Sequence, residues 1–159
     1  MASPLIAVPA SPASPANTVV AGDGWWPDVD CNQVRAELRL PEIVTHERLV
    51  SAIRGAMLTV TAELAAWRAL READGAASLA EVDGEDEIDG IGRRVLLFLR
   101  AVRFAAAAEL AELHRDVTAT DAGQARGDVQ LLTAADYRRL AVHALREFLG
   151  TPRIAVELI

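Results

Sequence analysis

The apolar positions between residues 45 and 73 recur with helical spacing. At 100° per residue, Leu49, Ile53, Met57, Val60, Leu64 and Trp67 fall within about 80° of one another, while Glu47, Arg48 and Arg54 lie outside that arc. This pattern predicts one long amphipathic helix over residues 45–73, N-capped by Thr45, with Glu47 in its first turn and Gly75 at its stop. A second apolar stripe, Val95, Leu99, Val102, Ala106, Leu110 and Leu113, predicts a helix over about 90–114. Leu96, Leu97, Phe98, Phe104 and the alanines at 105–108 extend its apolar surface around most of the circumference. Such a helix must be enclosed by neighbours, and its small side chains allow close approach. Tyr137, Ala141, Ala144, Leu145 and Phe148 line one face of a last helical region that begins near Thr120 or Asp121. A break near Leu132 is expected there, because Thr133-Ala134-Ala135-Asp136 has the spacing of a helix cap; Gly150 is the expected stop.

The flanks follow other rules. A short helix is expected over about 31–38, capped by Asp28 or Asp30 and limited by Pro41. Residues 153–159 alternate with period two at Ile154, Val156 and Leu158, which is strand patterning; Pro152 separates them from the last helix. No second convincing strand is apparent to pair with them. Pro4, Pro9, Pro12 and Pro15 interrupt an uncharged, Pro/Ala/Ser-rich beginning, so residues 1–21 are expected to form a flexible arm rather than a signal peptide. The organisation expected is therefore an arm at 1–21, a helical domain at 22–150 and an extended tail at 151–159. The fold class is all-α, a small helical bundle with Leu64, Trp67, Leu99, Val102, Leu110, Leu145 and Phe148 in its core.

Composition narrows the function. Aromatic residues make up 4% of the 159 residues, too few for a β-sandwich or barrel of this size. Every cation is arginine, and the net charge is −7, which excludes a protein that coats nucleic acid. No apolar run reaches the ~18 residues of a membrane span, and the lone Cys31 cannot form an internal disulfide.

Candidate chemistry is sparse. His46, His114 and His143 lie on different elements without metal-ligand spacing, and no phosphate-cradling or serine-nucleophile motif occurs. The acidic run Asp83-Gly84-Glu85-Asp86-Glu87-Ile88-Asp89 has Ile88 where a calcium loop needs glycine and Arg94 where it needs glutamate. It reads as a solvated loop, and Arg93, Arg94, Arg100 and Arg103 beside it read as ion-pair partners rather than DNA contacts. No catalytic set, metal or cofactor is expected. The adjacent Trp25 and Trp26, stiffened by Pro27 and followed by Asp28, stand out on a turn. Two neighbouring indoles there are not expected to face one core, which leaves edge packing or a docking anchor.

A resemblance orders these features. Gly24-Trp25-Trp26-Pro27-Asp28-Val29-Asp30 near the start resembles one bookend of the tailed-phage head completion protein family of the GPL type. Gly150-Thr151-Pro152-Arg153 with Val156-Glu157-Leu158-Ile159 resembles the other. Leu64-Ala65-Ala66-Trp67-Arg68 and Ile88-Asp89-Gly90 followed by Val95-Leu96-Leu97 fit between them in the same order, so the match covers residues 22–159.

The resemblance implies a virion structural protein without enzymatic activity that completes the DNA-filled head, in the virion neck and, during assembly, the host cytoplasm. The implied partners are the portal protein, other neck proteins and further copies of the chain in a ring, twelvefold to match the portal. Packaged DNA would be a non-specific lumen contact, with no membrane involved; net negative charge suits a conduit through which DNA slides. Candidate interface residues are Trp25, Trp26, Pro27, Asp28, Arg153, Ile154, Val156 and Leu158. A different phage neck or tail component, or a small helical regulator that binds a protein, remains open at this point.

Overall fold

A computed structural model describes residues 14–40, 44–82, 86–118 and 132–151. In chain order they form β1 (Val19–Val20), β2 (Val29–Asp30), α1 (Cys31–Leu38), α2 (His46–Glu63), α3 (Ala65–Ala73), α4 (Leu79–Val82), β3 (Glu87–Ile88), β4 (Ile91–Gly92), α5 (Arg93–Thr118) and α6 (Ala134–Phe148). The body is helical, as its patterning predicts, with two short antiparallel ribbons added. Val19 faces Asp30 and Val20 faces Val29 in the first; Glu87 faces Gly92 and Ile88 faces Ile91 in the second.

Helix α5 is the axis of the molecule, packed against α6 on one side and α2 on the other. Its alanines make that double contact close: Ala101, Ala106, Ala107 and Ala108 are all buried. Facing them, α2 buries Leu49, Ile53, Met57 and Val60, and α6 buries Ala141, Ala144, Leu145 and Phe148. The seam of α5 keeps Val102, Ala106 and Leu110 of the expected stripe and adds Phe98. Leu99 and Val95 are half-buried and Leu113 is 52% exposed. Two partners on different sides widen the buried arc and shift its centre.

The helix caps follow local chemistry. Thr45 accepts the Arg48 N–H, and Thr133 forms a reciprocal capping box with Asp136. Asp30 caps α1 by accepting the N–H groups of Asn32 and Gln33 at 2.7 and 2.9 Å. Helix α6 ends with Gly150 at φ 69°, where Thr151 N–H reaches the Arg146 carbonyl and Gly150 N–H that of Glu147. That is the paired closure that favours glycine. Gly75 ends α3 in the same way.

Three sequence expectations are corrected. The helix over 45–73 is two helices, bent by 62° at Leu64. Thr59 and Thr61 hydrogen-bond back to the carbonyls of Gly55 and Met57 just before the bend, a habit that weakens the local ladder, and Leu64 itself is drawn fully inside. Strand pairs do exist, and the second ribbon occupies part of the stretch read as a solvated loop. Asp89 and Gly90, both at positive φ, form the tight turn between β3 and β4. Finally, the arm expected over residues 1–21 is anchored at two points of its described part, the rest of which is largely exposed. Val20 is buried in β1, and Ser14, also buried, meets His46 Nδ1 at 3.0 Å. Residues 1–13, the helix start expected near Thr120 or Asp121, and the tail from Pro152 onward lie outside the described residues.

Candidate interaction surface

The site is built around the turn between β1 and β2. Asp23 Oδ1 accepts the backbone N–H of Trp25 at 3.1 Å and of Trp26 at 3.0 Å, and Gly24 supplies φ 90°. Asp28 Oδ1 closes the other side by accepting the Gly22 N–H at 2.9 Å. This tight wrap turns two successive side chains inward. Trp25 and Trp26 are 5% and 4% exposed, so the expectation that neighbouring indoles could not share one core is corrected.

Together with Phe98, Phe148 and Trp67, which is half-buried at the edge rather than in the core as expected, they form an aromatic cluster. Trp26 stacks on Phe98 at 4.7 Å and meets Trp25 edge-on at 4.5 Å, while Trp67 meets Phe148 edge-on at 4.6 Å. The Trp25 indole N–H donates to the Ala76 carbonyl at 3.3 Å, and the Leu79 N–H donates to the Trp25 carbonyl at 2.9 Å. The turn is thereby tied to the segment after α3.

Arg68 of α3 locks the arrangement from outside. Its guanidinium pairs with Asp23 and, at 2.8 Å, with Glu72, and lies 5.0 Å from the centre of the Trp25 ring. Burial raises the Asp23 pKa, but the Trp26 and Trp25 N–H donors and Arg68 outweigh it and hold the carboxyl below its ordinary value. A lowered folded-state pKa means stability that is present above the unfolded value and lost as pH falls through the folded one. Asp23→Asn is therefore expected to lower the unfolding midpoint at pH 7 and to flatten its acid dependence below about pH 4. Equal acid sensitivity in mutant and parent would remove Asp23 from this role.

Beside the turn runs an open groove of about 770 Å³. Its walls are Val20, Ala21, Gly22, Asp23 and Trp26 on one side and Arg54, Met57, Leu58, Thr61, Ala62, Ala65 and Arg68 on the other. Leu58 is 73% exposed, and Arg54 makes no hydrogen bond or ion pair among the described residues. The periodicity of α2 could have flagged Leu58, an apolar residue off the buried stripe; nothing local in the sequence brings the 20–23 segment against it. A second exposed apolar feature is the cross-strand pair Ile88 and Ile91, 58% and 41% exposed.

Of the sequence-predicted interface residues, Pro27 is half-buried and Asp28 is exposed beside the two buried tryptophans. Arg153, Ile154, Val156 and Leu158 lie outside the described residues. Of the α5 arginines, Arg103 forms an ion pair of the kind expected, with Glu37 of α1, and Arg94 lies 5.7 Å from the centre of Trp67. No three His, Cys, Asp or Glu residues converge on a metal-sized space among the described residues. Cys31 is fully buried, which raises its thiol pKa. No single described helix is long and apolar enough to cross a membrane.

The family model for the phage head completion protein (GPL) matches residues 20–159, from β1 through the chain's last residue. The chain belongs to the phage head completion protein family. The head completion/stabilization protein of Escherichia phage P2 is 34% identical over 141 residues, covering 89% of this chain and 83% of its own length. No solved structure matches the chain. Family membership makes this a virion structural protein of the phage head. The shared span includes the whole Trp25–Trp26 turn, the groove and the residues after α6.

Proposed function

We propose that this head completion protein closes the DNA-filled head by forming a ring of identical subunits at the portal, where it joins the head to the neck. The family match over residues 20–159 carries the reading. Its partners are the portal protein, adjoining neck proteins and further copies of itself. Assembly takes place in the host cytoplasm, and the ring matches the portal's twelvefold symmetry.

The helical body supports that role because α5 is already enclosed by α2 and α6, leaving the exposed apolar groove and the Ile88–Ile91 ribbon for neighbours. The net charge of −7 keeps packaged DNA from adhering. Pro27, Asp28, Arg153, Ile154, Val156 and Leu158 contribute to contacts between subunits or with the portal. Trp25 and Trp26, being buried, act by holding the turn.

Residues 153–159 are the assembly strand of this proposal, since a lone strand gains stability only by joining a sheet or groove. Repeated around a ring, such weak contacts add through multivalency. The test is complementation of a phage that lacks the protein. The full-length chain should restore heads that retain DNA, with the protein co-sedimenting with them at the portal vertex. A chain ending at Pro152 should fold with an unchanged melting temperature yet yield heads that leak. Heads that mature normally without any copy of the protein would overturn the role, and full rescue by the shortened chain would remove the tail from it.

A further inference from the structure

Two exposed apolar patches stand on different parts of the molecule and carry opposite charge. The first is the groove beside the β1–β2 turn. Its charged lining residues are Asp23, Arg54 and Arg68, which leave a positive charge over. Asp23 and Arg68 pair with each other, while Arg54 has no hydrogen bond or ion pair among the described residues. Leu58, one helical turn beyond Arg54, is strongly exposed. It stands five positions from Ile53, which faces α5, and so about 140° around α2 from it. The groove therefore opens away from α5.

The second patch is the β3–β4 ribbon, which runs into α5 with no intervening residue. Ile88 and Ile91, both exposed, are directly paired, so their side chains emerge on one face with Cβ atoms about 5 Å apart. Residues 86–92 hold Asp86, Glu87 and Asp89 and no cation. All three carboxylates are exposed, and none forms an ion pair among the described residues. The Arg93 N–H donates to the Asp86 carbonyl at 2.9 Å, which carries the ladder one step past Glu87 and puts Asp86 on the Ile88 face. The spacings match as well. Asp86 and Ile88 stand about 6.6 Å apart along an extended strand, and Arg54 and Leu58 about 6 Å apart along α2.

Resting on the ring reading above, we propose that the β3–β4 ribbon of one copy docks in the α2 groove of the next, with Ile88 and Ile91 against Leu58 and Ala62 and Asp86 against Arg54. The ribbon must come from a second copy. Within one chain it is held at the start of α5 by the Arg93–Asp86 backbone bond, both isoleucines are exposed there, and no ribbon residue lines the groove. Two different patches joined head to tail are what builds a ring, whereas one patch meeting itself closes a twofold pair. The isoleucines and Leu58 supply the apolar centre of such a contact, and the carboxylates and Arg54 its charged rim, which selects orientation.

The test uses full-length chains carrying Leu58→Cys or Ile88→Cys, supplied together to a phage that lacks the protein, followed by mild oxidation of the purified heads. Both positions are exposed, and the native Cys31 is fully buried. The expected result is a disulfide-linked dimer when both variants are present and none with either alone. A link between two Ile88→Cys chains would show ribbon meeting ribbon and overturn the pairing. A chain carrying both cysteines that links only within itself would do the same, as would incorporation of both variants without a cross-link. A charge exchange without cysteines gives a second readout. Arg54→Glu and Asp86→Arg should each lower incorporation into heads about fivefold, and one chain carrying both should recover the parent level. Equal incorporation of all three, or no recovery in the double variant, would overturn the proposal. Heads that mature without any copy of the parent protein would instead overturn the ring reading, and this inference with it.

Discussion

Trp26→Ala is expected to cost about 3–5 kcal/mol, the range for truncating a large buried aromatic side chain. Three contacts set that size. The indole stacks on Phe98 of α5, meets Trp25 edge-on and tilts against Phe148 of α6 at 6.4 Å. It therefore joins the β1–β2 turn to both helices of the central pair. In a chain of this length the loss corresponds to a fall of roughly 10 °C in the melting temperature. Leu58→Ala makes the matched control: at 73% exposure it should stay within about 0.5 kcal/mol of the parent. Thermal unfolding of the isolated protein distinguishes core from docking anchor. An anchor would leave the isolated chain's midpoint unchanged and lower only incorporation into heads, and that result would refute the core assignment.

What the sequence made legible follows from how local each signal is. The buried stripe of α2, the Thr133–Asp136 capping box, the Gly75 and Gly150 stops and the Asp30 cap are fixed by residues within one or two turns, and all are found in place. The features that were missed depend on distant partners. Stripe geometry alone carries α2 straight on to Trp67; Phe148 and Trp25, both distant in sequence, reward the 62° turn that brings Trp67 against them. Likewise, adjacent residues on a strand face opposite sides, which argues against two tryptophans in one core. The side-chain cap from Asp23 and the positive φ of Gly24 cancel that alternation. Asp89-Gly90 carries the Asp-Gly hairpin signal, but it stands in an acidic run whose charge density is equally that of a solvated loop.

The interaction surface was legible in a different way. Its chemistry was divided between two stretches that look unremarkable apart: an exposed apolar residue on α2 and a polar turn more than thirty residues earlier. Neither stretch signals a groove alone, because the groove exists only once the turn is folded against the helix. The family resemblance supplied the context that geometry alone could not, and the match over residues 20–159 bears it out. The tail patterning, by contrast, is local and strong.

Gly22→Ala should be the second most damaging single change, with a loss of about 3 kcal/mol, at the top of the range for overpacking. The cause is close approach rather than unusual backbone geometry, since Gly22 is absent from the positive-φ glycines. A Cβ there would overlap the Trp26 carbonyl, lying 2.9 Å from its carbon, and would stand 3.1 Å from the Pro27 oxygen. Those neighbours are backbone atoms and cannot swing aside like a side-chain tip. Relief requires moving the turn that carries Trp26 or opening the bond from the Gly22 N–H to Asp28. Either movement pulls the tryptophan pair off Phe98 and Trp67 and widens the groove at the same time. Gly24→Ala offers the contrast: its Cβ would meet nothing within 4 Å, so its cost is confined to the strain of φ 90°, about 1–2 kcal/mol. Denaturant unfolding of the two variants should thus rank Gly22→Ala as the weaker protein. The reverse order would show that the turn can breathe around Gly22 and that the tight wrap does not hold the indoles in place.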